Sequence, residues 1–128
     1  MALSITSPIG AETPCDCANG NLVCVKGGGA IKLGTVATKV YAKIISSSGT
    51  CSASPPAGSA NVAPDANGDY SLGLVGTAQC SPNAPYPDNK ICVWAEYPVS
   101  TSSSSGGSVI YDLASKTFTG KCQASVTC

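Results

Sequence analysis

The chain has 128 residues and no formal net charge, because seven lysines balance seven carboxylates and neither Arg nor His is present. The electrostatic attraction that dominates nucleic-acid binding is therefore missing, and no nucleic-acid partner is expected. Large aliphatic residues and Phe make up only about a fifth of the chain, which is little for a stable core. We predict one domain spanning residues 1–128.

Cysteine offsets this small apolar content. An even number of cysteines in a short chain predicts a disulfide framework formed in an oxidising compartment, and each bridge contributes roughly 2–4 kcal/mol. The residues predicted to pair are Cys15, Cys17, Cys24, Cys51, Cys80, Cys92, Cys122 and Cys128. A zinc site of Cys15, Cys17 and Cys24 is disfavoured, because structural zinc sites usually use Cys-x-x-Cys pairs, often with His. No metal or other cofactor is predicted.

Short alternating runs, separated by Gly, Pro, Asn and Ser, follow one another along the chain and predict an all-β fold. The predicted strands cover residues 3–7, 22–26, 39–46, 59–63, 69–75, 90–97, 108–113 and 116–123. Seven or eight short strands separated by such turn residues indicate a disulfide-stapled β-sandwich of Ig-like or prealbumin-like type.

The N-terminal segment and the hydropathy of the chain support further predictions. Residues 2–14 precede the first cysteine and alternate weakly, so they are a candidate donor strand for a neighbouring copy. No apolar run is long enough to cross a bilayer, so no membrane insertion is predicted. The start at Met1 lacks the features of a signal peptide, and we expect that an export signal was removed or that the chain is exported by another route.

The loop at residues 81–89 contains three prolines and lies between Cys80 and Cys92. A bridge between these two cysteines is one of the many possible pairings, and it would clamp the loop at its base. The spacing of the first two and last two cysteines suggests that both chain ends are tied to the body. Residues 100–108 are low in complexity and are expected to form a loop.

Two predicted strands resemble each other, at residues 40–44 and 93–97. In each, Val and Ala share one face, and an aromatic and a charged residue share the other. One interpretation is two similar strands with a Val/Ala core face. The other pairs them directly, with Tyr41 beside Trp94 and Lys43 beside Glu96, which would form an aromatic platform suited to a sugar ring.

The stretch PDANGDYSLGL, at residues 64–74, allows two interpretations. Asp65, Asn67 and Asp69 alternate like the first ligands of a calcium loop, but the Gly and the final Glu of the EF-hand pattern are absent. Alternatively, Asn67-Gly68 forms the type I′ turn of a hairpin, since both residues tolerate positive φ. We favour the hairpin.

The turn Asp-x-Asn-Gly-x-Tyr-x-Leu at residues 65–72 stands between a Lys-Val-Tyr-Ala strand and a Val-Trp-Ala strand. Over about residues 38–97 this arrangement resembles carboxypeptidase regulatory-like and collagen-adhesin B-type modules, which are prealbumin-like β-sandwiches of secreted and surface proteins. The resemblance implies a structural or adhesive role without catalysis. The eight cysteines depart from the usual pattern of such modules.

Some adhesin modules of this type form an isopeptide bond between Lys and Asn or Asp, next to a buried acid. The resemblance offers Lys39 or Lys43 as the amine, Glu96 as the acid and Asp112 as the acceptor. The predicted solvent-facing positions of Lys43 and Glu96 argue against it.

Enzymatic activity is not predicted. Without His, the usual general base near neutral pH and the Ser-His and Cys-His nucleophiles are missing. Without Arg, no bidentate clamp for phosphate or carboxylate can form. A glycosidase pair such as Glu96 with Asp112 would have the required residue types, but a small sandwich without a deep cleft disfavours it.

The composition therefore favours a non-enzymatic structural or adhesive module, extracellular or at the cell surface. Its expected partners are copies of itself, through exposed edge strands, or a cell-surface protein or polysaccharide. The alternative is a carbohydrate-binding module that uses Tyr41, Trp94 and Tyr97, or Tyr86. A third class is protease inhibition by the loop at residues 81–89.

Overall fold

The computed structural model describes residues 2–98 and 109–128 and shows an all-β chain with one short 3-10 turn at Cys17–Asn19. Its ten strands are β1 (Ser4–Ser7), β2 (Thr13–Asp16), β3 (Val23–Gly28), β4 (Ile31–Lys32), β5 (Thr35–Val36), β6 (Lys39–Ser46), β7 (Ala60–Val62), β8 (Tyr70–Val75), β9 (Asp88–Pro98) and β10 (Val109–Gln123). Residues 99–108, which include the predicted loop and the first residue of the seventh predicted strand, lie outside the described part.

The strands form three sheets. The first has the order β1-β3-β8 and is antiparallel throughout. The second has the order β2-β10-β9-β6-β7, with one parallel pair between β2 and β10. A two-stranded hairpin, β4-β5, is the third.

One apolar cluster is contributed mainly by the two larger sheets. The predicted Val/Ala face is confirmed, because Val40, Ala42, Val93 and Ala95 are all buried. The buried members of this cluster are Cys15, Val23, Val25, Ala30, Ala37, Val40, Ala42, Ile44, Tyr70, Val75, Ala78, Ile91, Val93, Ala95, Tyr97 and Phe118. Small Val and Ala side chains dominate it, as the composition requires.

The strand predictions fail in two informative ways. The last two predicted strands are one strand, β10, because Ala114 and Ser115 interrupt the apolar alternation without supplying a turn. Eleven consecutive residues of β10 pair with β9 through this point. Conversely, β2 was not predicted because it contains Pro14, and proline is tolerated here because β2 lies at a sheet edge. The hairpin β4-β5 was also missed, since two-residue strands show no alternation.

All eight cysteines pair, as predicted, in four disulfides: Cys15–Cys80, Cys17–Cys122, Cys24–Cys128 and Cys51–Cys92. Both chain ends are thereby tied to the body, as the cysteine spacing suggested. The Cys80–Cys92 pairing was wrong. Cys92 lies on the face of β9 opposite the core, whereas Cys80 lies beside Cys15 and Gly120. The proline-rich loop is therefore not closed by a bridge across its own base.

The glycine run at residues 27–29 lies directly against the N-terminal segment of the chain. β1 lies so close to β3 that a side chain on Gly27 would overlap the carbonyl oxygen of Ser4, and one on Gly29 would overlap that of Ala2. Tyr70 donates a 2.7 Å hydrogen bond to the Ser4 carbonyl. Only glycine at these positions leaves enough room for the N-terminal strand to pack this closely.

We expect Gly29→Ala to destabilise the fold more than Gly34→Ala. The two glycines share nearly the same φ, 77° and 78°, so both substitutions incur a backbone strain of about 1–2 kcal/mol. Only Gly29 has the N-terminal strand against it, while nothing lies within 4 Å of a Cβ on Gly34. The overlap adds about 1–3 kcal/mol. Urea unfolding of the oxidised proteins measures the difference in the free energy of unfolding. Equal losses for the two variants would show that the N-terminal segment does not pack against Gly29.

Candidate functional site

The outer face of the five-stranded sheet is the side that points away from the apolar cluster. Tyr41 lies opposite Trp94 across the β6-β9 pair, as predicted. The predicted neighbour of Lys43 was wrong: the strands are antiparallel, so Lys43 lies opposite Cys92, and Lys39 lies opposite Glu96. The outer face therefore carries Tyr41 and Glu96 close together, but without Lys43 beside the acid.

Trp94 is covered by the loop at residues 47–59, which joins β6 to β7. Its side chain is 1% exposed, and its Nε1 donates a 2.8 Å hydrogen bond to the Ser52 carbonyl. The neighbouring Cys51–Cys92 disulfide holds this loop to β9. Trp94 is thus a buried anchor for the loop and presents no ring face to a ligand.

Tyr97 is also buried, at 2% exposure, but on the other side of the sheet in the apolar cluster. Trp94 and Tyr97 are an odd number of residues apart on β9, so their side chains point to opposite faces. The predicted platform of Tyr41, Trp94 and Tyr97 is therefore not formed. Tyr86 lies elsewhere, with the Lys121 Nζ 5.8 Å from its ring centroid.

A different aromatic group occupies the outer face, and we call it the Glu96 cluster: Thr38, Tyr41, Glu96 and Tyr111. The Tyr41 and Tyr111 hydroxyls each donate a 3.1 Å hydrogen bond to Glu96 Oε1. Thr38 Oγ1 donates to Glu96 Oε2 at 3.2 Å. The two rings meet edge to face, with centroids 6.5 Å apart.

Sequence reasoning missed two members of the cluster, Thr38 and Tyr111, and the second ring belongs to Tyr111. Its strand was predicted, and alternation places Tyr111 and Leu113 on one face, but the sequence does not say which strand lies alongside. The pairing of Tyr111 with Glu96 follows from the β9-β10 register. Because alternation assigns residues to a face but does not fix the register between two strands, the sequence contained no direct signal for this pairing.

The Glu96 cluster keeps both phenols neutral. Partial burial raises the pKa of Tyr41 and of Tyr111, and the hydrogen bond to Glu96 and its negative charge raise both further. A raised pKa means that the folded chain favours the neutral phenol. This stabilisation is present below the ordinary phenol pKa of 10.0 and is lost as the pH rises through the folded-state values. The cluster offers hydrogen bonds and ring edges rather than a nucleophile.

Within the stretch at residues 64–74, residues 65–69 form a tight turn and β8 begins at Tyr70. Asp65 Oδ1 accepts the backbone N–H groups of Asn67 and Asp69, at 2.9 and 3.0 Å, and Gly68 N–H donates to the Asp65 carbonyl. This carboxylate thus stabilises its own turn. Among residues 2–98 and 109–128, no three His, Cys, Asp or Glu side chains are grouped to hold a metal ion.

The predicted hairpin and its turn type were wrong in detail. Only Gly68, with φ of 82°, has the positive φ that a type I′ turn requires at both central positions. The flanking strands also have different partners, since β7 pairs with β6 and β8 with β3. The turn therefore connects β7 of the five-stranded sheet to β8 of the three-stranded sheet. The local sequence does not specify which sheet the next strand joins.

The proposed carboxylate and isopeptide chemistry is not assembled. Glu96 lies opposite Tyr111 and Asp112 lies opposite Ala95, so the two acids point to opposite faces of the sheet. Asp112 pairs instead with Lys32, at 3.0 Å. The zinc alternative also fails, since Cys15, Cys17 and Cys24 are each oxidised with a different distant partner.

Comparison with known proteins found no matching family model, no matching curated protein and no matching solved structure. In the described part of the chain, no helix has the length and hydropathy needed to cross a membrane.

We expect Glu96→Gln to lower the pKa of Tyr41 and Tyr111, because removing the negative charge makes the phenolates less unfavourable. Ultraviolet absorbance of tyrosinate across an alkaline titration measures the shift. In a chain carrying Tyr41→Phe and Tyr111→Phe, the same substitution should leave the titration unchanged. A titration curve unaffected by Glu96→Gln in the otherwise unaltered chain would show that the cluster does not form in solution.

Proposed function

We propose that this chain is a non-enzymatic structural module of an extracellular or cell-surface assembly. In this proposal it folds as a disulfide-stapled β-sandwich of Ig-like or prealbumin-like type, with the two larger sheets as its layers. The single observation that carries the proposal is the disulfide network. Three of the four bridges span 65, 105 and 104 residues of sequence, and they tie both chain ends to the sheets.

Such cross-links suit a module that must stay folded outside the cell. Closing loops this long restricts the unfolded chain, and the chain-entropy model assigns about 4–5 kcal/mol to each. Four disulfides also support an oxidising compartment. A module with a small Val/Ala core depends on this contribution, because such a core alone leaves a chain of this size only marginally stable.

The surface chemistry supports association rather than turnover. The two acids of the glycosidase alternative, Glu96 and Asp112, point to opposite faces of the sheet. Exposed apolar side chains remain on β10 and on the β4-β5 hairpin, among them Leu33, Val109, Ile110 and Leu113. The carbohydrate-binding alternative has less support, since two of its three rings are buried.

We expect the oxidised chain to self-associate reversibly as its concentration rises, which sedimentation velocity measures. The reduced and alkylated chain is the control, and it should lose both its β-sheet circular dichroism and this association. A strict monomer at the highest soluble concentration argues against an assembly subunit.

Trp94 emission should be blue-shifted and unaffected by added polysaccharides, because the ring is buried. A polysaccharide-dependent shift would favour the carbohydrate-binding class instead.

A further inference from the structure

β10 has one long side that pairs with no other strand in the described part of the chain. On its first side, residues 109–119 pair continuously with β9. On its second side, pairing begins only where Thr119 N–H donates to the Gly10 carbonyl and β2 joins at Gly120. The stretch at residues 109–117 is thus an open sheet edge, and Val109, Ile110 and Leu113 on it are exposed.

The backbone groups on this edge can be assigned by alternation. Thr119 N–H points to Gly10 on the second side, whereas Gly120 N–H points to Pro87 on the first. The β9-β10 register contains no shift, so the alternation extends back along β10. The N–H and C=O groups of Tyr111, Leu113, Ser115 and Thr117 therefore point to the open side.

Of the features that usually protect a sheet from edge-to-edge pairing, this edge has charged side chains, Asp112 and Lys116, but not the others. It contains no proline and no bulge, and it is longer than the other free edges described. β7, at the far edge of the same sheet, has three residues. The pairing of β8 with β3 is irregular between Val25 and Lys26, and Gly73 interrupts β8 with a φ of 68°.

The charges along the edge favour one particular partner. Asp112 and Lys116 are placed symmetrically around Ala114, so a second antiparallel β10 centred on Ala114 brings each acid opposite a lysine. Asp112 uses Oδ1 for Lys32, which leaves its other oxygen for a second ammonium. Lys116 makes no ion pair among the described residues. Centring the pair on Leu113 instead would place Asp112 opposite an alanine.

We propose that two copies of this chain join edge to edge through antiparallel pairing of β10 with its symmetry mate, centred on Ala114. Asp112 then faces the partner's Lys116, and Lys116 faces the partner's Asp112. Leu113, which is 45% exposed, lies diagonally across from the partner's Leu113, within reach for apolar contact. This inference rests on the proposed assembly function and specifies its first contact.

The pairing is geometrically self-consistent. Tyr111 lies opposite the partner's Thr117, and Leu113 lies opposite the partner's Ser115, so residues with free backbone groups face one another. Four such pairs give about eight backbone hydrogen bonds. Pairing ends at Thr117 because the Thr119 N–H is already used within its own chain. A two-fold contact of this kind is self-complementary and closes at a dimer.

Sedimentation equilibrium of the full, oxidised chain tests the proposal with two independent variants. Lys116→Asp places two acids opposite each other at two sites and should raise the dimer Kd on the order of tenfold. Ser115→Pro removes an N–H that points to the open edge and should abolish dimerisation. Lys26→Asp, the same charge change on an exposed position of β3, is the matched control and should leave the Kd unchanged.

The charge-swapped chain, with Asp112→Lys and Lys116→Asp together, gives the decisive result. It restores opposite charges across the two-fold axis, so its Kd should return toward that of the unaltered chain. Circular dichroism confirms that each variant is folded. If the unaltered chain associates and neither edge variant weakens it, the β10 contact is overturned while the assembly function stands. If the unaltered chain is a monomer throughout, both are overturned.

Discussion

The position of β9 between β6 and β10 is the constraint from which the other features follow. Both of its edges are paired, and its side chains alternate between the apolar cluster and the outer face. Ile91, Val93 and Ala95 are therefore buried in the cluster, while Trp94 and Glu96 point outward. The outer-face residues then need cover or partners of their own, and the chain supplies a loop for Trp94 and two tyrosines for Glu96.

The disulfides add to the stability that this small core provides. Cys51–Cys92 fixes the loop that covers Trp94 on one face of β9. On the other side, Cys15–Cys80 lies in the interior beside Gly120, where an added side chain would meet both sulfurs. Sulfur thus fills space and restricts the chain at the same positions. A core made mostly of Val and Ala needs both effects, because each small side chain buries little apolar surface.

The edge of β10 that faces away from β9 is covered by another strand along one segment and open along another. At residues 120–123 the edge is covered by β2, and the Cys17–Cys122 bridge holds this contact. At residues 109–117 the described part of the chain provides no such strand. The charges at Asp112 and Lys116 lie within that open segment, with Ala114 midway between them. Their symmetric placement is the basis of the proposed pairing with a second copy.

Local patterns determined a large share of this protein. Alternation gave the positions of β3, β6, β8 and β9, composition excluded most catalytic chemistries from consideration, and cysteine content predicted complete oxidation. The strand positions depend on short segments alone, since the period of a strand is two residues wherever it lies. The tertiary structure alone decided how the segments meet. Cys80 pairs with Cys15, Tyr111 reaches Glu96, and Asp112 faces away from Glu96, because strand order and register are set by burial across the whole chain rather than by neighbours in sequence.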